Sequence, residues 1–300
     1  MDSLSQPNSE HVPVLVEALA GAVRIPEGGL FVDATIGYGG HSRILGQPLG
    51  PSGTILGLDV DPGCLQRAQT ALNELPCRVI LERENFANLN DVMARTGVGK
   101  ADLILADLGW CSGQLEDPKR GFSFQHNMPL DMRLDDRRTT TAADWVNGAE
   151  EKELADVIFE YGEERASRRI ARAIVEHRRG QKITTTAQLA NLVYRTLGRG
   201  GKIHPATKTF QALRIVVNDE LGSLERLLEA APKWLKPGGR IAIISFHSLE
   251  DRRVKQDFQR KRLEGIYEIL TDKPMVPQED EMRKNPRARS AKMRMAERLP

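Results

Sequence analysis

The sequence predicts an α/β fold in which a mostly parallel β-sheet is interrupted by an all-helical insertion. Short apolar runs bounded by turn residues alternate with helix-like segments from Leu30 to Asp107. The same alternation resumes near Phe210, and the segment between has helical periodicity but no convincing strand. Strands that alternate with helices indicate a parallel sheet with right-handed crossovers.

Apolar runs mark the strands. Before the insertion the predicted strands are Leu30 to Ala34, Thr54 to Val60, Cys77 to Leu81 and Ala101 to Asp107. After it they are Arg240 to Phe246, Tyr267 to Thr271 and Lys292 to Ala296. The last run alternates charged and apolar residues, as a half-exposed strand does.

Apolar residues at helical spacing mark the helices. Pro62 stands at a first-turn position before one of them. The helices predicted in the insertion cover Leu154 to Tyr161, Ile170 to His177 and Leu189 to Leu197. A single long helix is then predicted from Phe210 to Leu228. We therefore predict a discontinuous main domain, 1–115 with 208–300, and an inserted domain, 116–207.

The composition is that of an ordinary globular protein. A chain of 300 residues with 40% hydrophobic and 28% charged positions is neither disordered nor fibrous. Its apolar runs are shorter than the ~20 residues of a membrane helix, and Met1 to Glu10 is polar. We expect a cytoplasmic protein with a floppy N-terminus and no membrane association. The cysteines and histidines lack the spacing of a disulfide framework or a metal site.

A glycine-rich stretch follows the first strand. That strand ends at Asp33, and Gly37 to Ser42 reads Gly-Tyr-Gly-Gly-His-Ser. Such a turn lets the backbone approach a phosphate or a carboxylate-bearing ligand closely. Asp59 lies about twenty residues later at the end of the next strand, where it can accept hydrogen bonds from both hydroxyls of an adenosine ribose. Taken alone, this pattern suits NAD and S-adenosylmethionine equally.

Two features favour the methyl donor. Ser42 takes the place of the third glycine of a dinucleotide motif, and Asp33 would repel a pyrophosphate but tolerate a sulfonium. Phe86, after the third strand, is a candidate neighbour of the adenine, and Asp107 ends the fourth strand. An isolated glycine turn is the alternative, but polar residues at each of these strand ends argue against it.

Long segments match one protein family in order. They are HVPVLVEAL at 11–19, FVDATIGYGGHS at 31–42, GLDVDP at 57–62, RGFSF at 120–124, PLDMR at 129–133, YGEER at 161–165, HPATKTFQALRIVVNDEL at 204–221, ISFHSLEDRRVK at 244–255 and NPRARSAKMR at 285–294. The chain resembles the bacterial small-subunit rRNA cytosine-N4 methyltransferases, the RsmH or MraW family. The resemblance implies a class I (Rossmann-like) S-adenosylmethionine-dependent methyltransferase sheet with an inserted helical substrate-recognition domain.

The resemblance also implies a reaction and its partners. The expected reaction is methyl transfer from S-adenosylmethionine to N4 of a specific cytidine in the decoding region of 16S rRNA. The expected partner is that RNA in the small ribosomal subunit or its assembly intermediate. The implied cofactor contacts are Gly39, Gly40, His41, Asp59, Phe86, Asp107 and Gln114.

One segment departs from the family. The family usually reads Asp-Leu-Gly-Val-Ser-Ser-Pro-Gln, whereas residues 107–114 read Asp-Leu-Gly-Trp-Cys-Ser-Gly-Gln. Asp107 and Gln114 keep their places. The loop between them, and its fit to a substrate, are therefore in doubt.

The chemistry of the target predicts the catalytic residues. The lone pair of the cytosine amino group is delocalised into the ring, so hydrogen-bond acceptors are needed near the methyl group. Asp107 and Asp131 are the predicted acceptors, with Asn218 and His247 as further candidates. Trp110 is predicted to stack on the base. The alternatives are a packing role for Trp110 and an ion pair between Asp131 and Arg133.

Basic residues indicate where RNA binds. The net charge of +2 is too small to indicate a polyanion partner by itself, but Met282 to Pro300 holds seven Lys/Arg against one Glu. Within the insertion, four arginines fall at helical spacing on one face. The predicted RNA contacts are Arg165, Arg168, Arg169, Arg172, Arg287 and Arg289. A solvated face paired with Glu164 and Glu176 is the alternative for the four in the insertion.

Three rival functions remain open at this point. An NAD-linked oxidoreductase would use the same sheet, although the glycine spacing and Asp33 oppose it. A non-catalytic rRNA-binding protein would retain the fold without its activity. A methyltransferase of DNA or protein would keep the cofactor and change the target. The sequence does not decide the oligomeric state, and a homodimer is compatible with it.

Overall fold

The computed structural model of the chain describes residues 13–111, 113–114, 117–198, 201 and 203–300. The predicted N-terminal tail, Met1 to Glu10, lies outside these residues. The chain divides into two compact units, one within Met1–Ser112 and Ser223–Pro300 and the other within Gly113–Gly222. Among the described residues, no helix combines the length and the apolar character that crossing a membrane requires.

A seven-stranded sheet forms the centre of the first unit. Its strands are β1 (Leu30–Asp33), β2 (Thr54–Asp59), β3 (Arg78–Arg83), β4 (Ala101–Asp107), β5 (Leu235–Ser245), β6 (Tyr267–Ile269) and β7 (Lys292–Arg298). The order is β3-β2-β1-β4-β5-β7-β6, in which β7 pairs antiparallel with both β5 and β6 and the remaining pairs are parallel. The predicted α/β fold class, with its mostly parallel sheet, is confirmed.

Helices cover both faces of this sheet. They are α1 (Val16–Ala22), α2 (Gly40–Gly46), α3 (Pro62–Leu72), α4 (Leu89–Thr96), α10 (Glu220–Trp234), α11 (Ser248–Leu263) and α12 (Glu279–Lys284). Successive strand residues alternate between two apolar cores: Val32 packs into the core that holds Leu224 and Phe258, whereas Phe31 packs into the one that holds Leu72. Burial on both faces explains why the strands read as continuous apolar runs.

The second unit is helical. Its helices are α5 (Ala142–Gly148), α6 (Glu151–Glu160), α7 (Ser167–Arg178), α8 (Thr186–Leu197) and α9 (Thr207–Asn218). The three helices predicted in the insertion are confirmed as α6, α7 and α8. Thr185 caps α8 by accepting a hydrogen bond from the Gln188 N–H, as the threonines indicated. Helix α5 was not predicted, although Thr141 and Asp144 form a capping box at its start.

The prediction of one long helix from Phe210 to Leu228 is wrong, because the helix is interrupted at Asp219. Asp219 has a left-handed φ of 50°, and it separates α9 from α10. The buried side chain of Asn218 stabilises the break. Its Oδ1 accepts from the Leu134 N–H at 2.8 Å, and its Nδ2 donates to the carbonyl of Met132 at 2.7 Å.

Helix α9 belongs to the second unit, where it packs against α6. The sequence instead assigned it to the main domain, with a boundary between residues 207 and 208. Along the sequence, the second unit therefore ends at Gly222, close to the helix break at Asp219. The limits of the functional domains stay a prediction.

Candidate functional site

Three carboxylates converge at the carboxyl ends of β1, β2 and β4. Strand order reverses between β1 and β4, so their ends lie side by side, where open α/β sheets bind ligands. The Asp107 N–H donates to Oγ1 of Thr35 at 2.6 Å, which ties the end of β4 to the turn after β1. Asp33 lies close enough to Asp59 and Asp107 to interact electrostatically with both. The structure thus brings together the three acids that the sequence singled out.

The glycine-rich turn is shaped by its own packing. Gly37 and Gly39 have φ values of 50° and 81°, a region that favours glycine. A Cβ atom on Gly37 would lie 2.8 Å from Sγ of Cys111, and one on Gly40 would lie 3.0 Å from the Pro13 ring. Glycine is therefore required here both for backbone conformation and for close approach of neighbouring side chains.

Asp33 stabilises this turn through hydrogen bonds to Ser42 and Thr35. Its buried carboxylate accepts from the Ser42 hydroxyl at 2.7 Å and from the Thr35 N–H at 3.3 Å. Burial raises the pKa of Asp33 to about 6. Ser42 stands at the position of a third motif glycine, and its hydroxyl makes a hydrogen bond to Asp33 that a glycine could not make.

Asp59 is fixed by two backbone amides. Its Oδ2 accepts from the Gly37 N–H at 3.1 Å and its Oδ1 from the Asp61 N–H at 2.9 Å. Burial raises the pKa of Asp59 to about 7, and the charges of Asp61 and Asp33 raise it further against these hydrogen bonds. A neighbouring hydrogen-bond acceptor would stabilise the protonated form of this carboxyl. A neighbouring positive charge would instead stabilise its ionised form.

Asp107 has an unsatisfied oxygen. Its Oδ1 is buried and has no hydrogen-bond partner among the described residues. Burial, followed by the charges of Asp33 and Glu250, holds the pKa of Asp107 well above its usual range. A buried polar atom without a partner is costly, so this oxygen can accept a hydrogen bond from a donor beyond the described residues.

His41 lies beside Asp107. Its Nε2 is 2.9 Å from the carbonyl oxygen of Val14, and its Nδ1 is 3.8 Å from Oδ2 of Asp107. Because a carbonyl only accepts hydrogen bonds, Nε2 carries a proton. His41 therefore lies between the carbonyl of Val14 and the carboxyl of Asp107, at the acidic site.

The other predicted cofactor contacts, Phe86 and Gln114, and the predicted stacking residue Trp110 lie on separate segments of the chain. Phe86 is half-buried at the start of a short 3₁₀ helix, Phe86–Asn88, where Asn85 accepts from the Ala87 N–H. Trp110 is half-buried in the first unit, after Gly109 with its φ of 126°. Gln114 is buried in the second unit. Ser112, in the loop that departs from the family, lies outside the described residues.

Asp131 forms the ion pair that was the alternative to a catalytic role. Nε and Nη2 of Arg133 each donate to one of its oxygens at 2.7 Å. This bidentate geometry is the strong form of a charge-assisted pair. Asn218 is likewise occupied by backbone groups, and His247 caps α11, with its Nδ1 accepting from the Glu250 N–H. Catalytic roles for these residues stay predictions.

The predicted arginine stripe is shorter than expected. All four arginines are exposed, but α7 begins at Ser167, so Arg165 precedes the helix. Arg169 donates to the Thr196 carbonyl at 2.6 Å, and Arg172 lies 3.9 Å from Glu151. Arg165 and Arg168 form no hydrogen bond or ion pair within the described part of the chain. These two are therefore available to phosphate oxygens.

Much of the positive charge in the C-terminal tail is neutralised locally. Arg294 and Lys292 pair with Asp251 at 2.6 and 3.6 Å. Arg289 is exposed and Arg287 half-buried on the 3₁₀ helix Pro286–Ser290. Of the predicted RNA contacts in this tail, Arg289 presents the more accessible charge.

Two groups were missed by the sequence analysis. In the second unit, the exposed ring of His204 lies 4.8 Å from that of Phe124 and 6.0 Å from that of Tyr194. In the first unit, Cys64 and Cys111 meet beside Asp59. Both groups join residues that are far apart in the chain, so spacing along the sequence carries no signal for them.

Comparison with known proteins identifies the family. Residues 8–299 match the MraW methylase family. The chain belongs to this family. It is 50% identical over 295 residues to the ribosomal RNA small subunit methyltransferase H of Cyanothece sp., covering 98% of this chain and 96% of the relative. The protein of that name from Acidobacterium capsulatum is 48% identical over 297 residues, covering 96% of this chain and 98% of the relative.

The acidic site fits the cofactor of such a methylase. S-adenosylmethionine carries a sulfonium and an ammonium group, and the carboxyls of Asp33, Asp59 and Asp107 are all destabilised as anions in the free protein. A cation placed among them would offset that cost, whereas a pyrophosphate would add to it. The unsatisfied Oδ1 of Asp107 is suited to an N–H donor. This family's S-adenosylmethionine dependence is thus matched by the residues present.

Proposed function

We propose that this protein transfers a methyl group from S-adenosylmethionine to N4 of a specific cytidine in the decoding region of 16S rRNA. The observation that carries the proposal is the convergence of Asp33, Asp59 and Asp107 at adjacent strand ends, with one Asp107 oxygen unsatisfied. The names of the relatives supply the substrate class, a small-subunit ribosomal RNA. The substrate would be met in the cytoplasm, on the small subunit or its assembly intermediate.

Each acid has a separate role in this proposal. Bound S-adenosylmethionine supplies an electrophilic methyl group. Asp59 accepts hydrogen bonds from the ribose hydroxyls and Asp33 holds the glycine turn through Ser42. Gly39, Gly40 and His41 shape the same wall of the site, with Phe86 and Gln114 as further proposed cofactor contacts.

Asp107 is the proposed acceptor for the target amine. Its free oxygen accepts a hydrogen bond from the N4 amino group, which draws the nitrogen lone pair out of conjugation and towards the methyl group. As the methyl group passes from sulfur to nitrogen and S-adenosylhomocysteine is released, the amine loses one proton, and Asp107 is the proposed acceptor. Burial and the charges of Asp33 and Glu250 raise the pKa of Asp107 above its usual range, which makes its ionised form a stronger base than an exposed aspartate. Asp131 is the weaker candidate, because Arg133 already occupies both of its oxygens.

The base must leave any stacked helix to reach the site, and Trp110 is the proposed stacking partner. Trp110→Ala is expected to lower turnover and RNA affinity by about tenfold, since a base–aromatic stack contributes roughly 1–3 kcal/mol. Trp110→Phe, which keeps an aromatic face, is the matched control and should retain most of both. Unchanged RNA affinity and turnover in Trp110→Ala would eliminate the stacking role and leave Trp110 as a packing residue.

The second unit carries groups suited to RNA. Arg165 and Arg168 offer unpaired charge, and the exposed rings of His204 and Tyr194 lie beside each other over the half-buried ring of Phe124. Unpaired bases are recognised by stacking on such rings and phosphates by such arginines. Both features agree with an RNA substrate rather than with a small molecule.

Charge reversal tests the arginines. Arg165→Glu with Arg168→Glu is expected to weaken RNA binding by tenfold or more, and to reduce the slope of log affinity against log salt by roughly one for each phosphate that is no longer neutralised. Arg95→Glu with Arg262→Glu changes the net charge equally on exposed positions of the first unit and serves as the control. Equal losses in the two double variants would show that only overall charge matters.

Nucleoside mass spectrometry tests the proposed reaction itself. Ribosomal RNA from cells lacking this protein should lose N4-methylated cytidine at one position, and the purified protein should restore it in small subunits with S-adenosylmethionine. Binding assays with S-adenosylmethionine and NAD separate the proposal from an oxidoreductase on the same sheet. Retention of every methylcytidine in the deletion strain would reject the substrate.

A further inference from the structure

Two thiols and a carboxylate converge in the first unit. Sγ of Cys64 donates a hydrogen bond to Sγ of Cys111 at 3.5 Å. One carboxylate oxygen of Asp59 lies close to both sulfurs, and these three atoms are all within 4.8 Å of one another. Asp59 ends β2, Cys64 lies in the first turn of α3, and Cys111 follows β4. Both cysteines are buried.

The sulfurs are spaced as two ligands of one metal ion would be. Tetrahedral thiolates around zinc, with bonds of about 2.3 Å, stand roughly 3.8 Å apart. A disulfide needs about 2.05 Å, so oxidation would have to draw these sulfurs much closer together. The observed 3.5 Å is near the first value. Gly37 contributes to this position, since a Cβ atom there would lie 2.8 Å from Sγ of Cys111.

Asp59 is oriented as a metal-binding carboxylate would be. Its oxygens accept from the N–H groups of Gly37 and Asp61, and each oxygen keeps a second lone pair. Hydrogen bonds of this kind fix a ligand before the metal arrives. Asp61 places a second negative charge close to Cys64, and a divalent cation would offset the repulsion between these acids and two thiolates.

We propose that Asp59, Cys64 and Cys111 form a binding site for one soft divalent metal ion, of the zinc or cadmium type. Thiolate sulfur selects such ions over magnesium or calcium, and a water would complete four ligands. The site depends on the departure from the family noted above, because Cys111 stands where the family usually has serine. It was invisible to the sequence analysis because its ligands come from three separate elements.

The ion competes with the cofactor for Asp59. This second step rests on the proposed function, in which Asp59 accepts the ribose hydroxyls. A carboxylate drawn towards a metal cannot hold both hydroxyls at once. Zinc therefore acts as an inhibitor of cofactor binding, and removal of zinc restores it.

Cadmium titration of the full chain tests the metal site. The protein is kept reduced with a phosphine and freed of metal, and the ultraviolet thiolate-to-cadmium charge-transfer band is followed. We expect one ion per chain. Cys64→Ser and Cys111→Ser should each weaken binding by more than the roughly 10–100-fold that loss of an outer-shell partner costs. Cys77→Ser, which changes the chain's third cysteine, should leave affinity unchanged.

The competition is measured by calorimetry with S-adenosylhomocysteine. Zinc should weaken its binding to the unmodified chain, a chelator should restore it, and Cys111→Ser should make the affinity insensitive to zinc. Absence of the charge-transfer band, or its persistence in both serine variants, overturns the metal site. Thiol loss that a chelator cannot reverse but a reductant can would indicate a disulfide and overturn it equally. Failure of S-adenosylhomocysteine to bind the metal-free chain would instead refute the proposed function.

Discussion

Asp59→Asn is expected to weaken S-adenosylmethionine binding by about 100-fold or more. In the proposed complex the ionised carboxylate accepts from both ribose hydroxyls, and hydrogen bonds to a charged group contribute roughly 1.5–3 kcal/mol each. Asparagine has one acceptor oxygen, and its amide nitrogen would face the Gly37 or the Asp61 N–H, both of which now donate to Asp59. Isothermal calorimetry of the metal-free protein measures the loss.

Asp61→Asn is the matched control for this prediction. Asp61 is a neighbouring acid whose side chain caps α3 by accepting from the Gly63 N–H at 2.8 Å. Asparagine is as good a cap as aspartate, so the fold should be kept while one negative charge is removed. A loss of cofactor affinity as large as that of Asp59→Asn would show that general acidity, not the ribose contact, governs binding.

The same carboxylate makes cofactor binding depend on pH. The pKa of Asp59 is raised to about 7 in the free protein and that of Asp33 to about 6. The cation stabilises the ionised forms, so binding releases protons and affinity rises as pH increases through these values. Once both carboxyls are ionised, their own contribution to the pH dependence should level off. Calorimetry at several pH values between about 5.5 and 8.5, a range that includes both pKa values, would measure this change in affinity. Asp59→Asn should flatten the dependence of affinity on pH.

Stability of the free protein should respond in the opposite sense. These acids have folded-state pKa values above the ordinary 3.8, so the folded chain binds more protons than the unfolded chain between 3.8 and about 7. Their contribution to the free energy of unfolding is therefore present at low pH and is lost as pH rises through the folded values. The loss should be smaller in Asp59→Asn, as measured by denaturant unfolding at several pH values.

The strands and the acidic edge were predictable from the sequence for a physical reason. Strands buried on both faces, such as Leu30–Asp33, are short apolar runs that end where the chain turns polar. Because parallel strands end at one edge, Asp33, Asp59 and Asp107 had to meet there. The pattern contained the position of the site, although not the hydrogen bonds that shift each pKa.

The features that were not predictable depend on partners distant in the chain. Apolar residues continue through the break at Asp219, and the groups that stabilise it, Leu134 and Met132, lie far away in sequence. Periodicity likewise extended α7 back to Arg165, whereas Glu164 forms a turn by accepting from the Ala166 N–H. In both places local polar contacts override a helical pattern.

Asp107→Asn is expected to lower the rate of methyl transfer by about 10²–10⁴-fold, the range typical for loss of a positioned proton acceptor. Asparagine nearly matches aspartate in size, and the backbone N–H of this residue still bonds to Thr35. The substitution removes a carboxyl group whose Oδ1 accepts no hydrogen bond from any described residue and whose pKa is held well above its usual range. Single-turnover kinetics at saturating cofactor isolate the chemical step.

Asp131→Asn distinguishes this assignment from its rival. Since Arg133 donates to both oxygens of Asp131, the substitution should lower the free energy of unfolding and leave the single-turnover rate within about tenfold, because the loss of a bidentate partner is felt chiefly by the arginine that remains. If Asp131→Asn instead slows the chemical step as much as Asp107→Asn without loss of stability, the acceptor is Asp131. The ion pair would then have to open when RNA binds, and Arg133→Gln, which frees the carboxylate in advance, should turn over faster than Asp131→Asn.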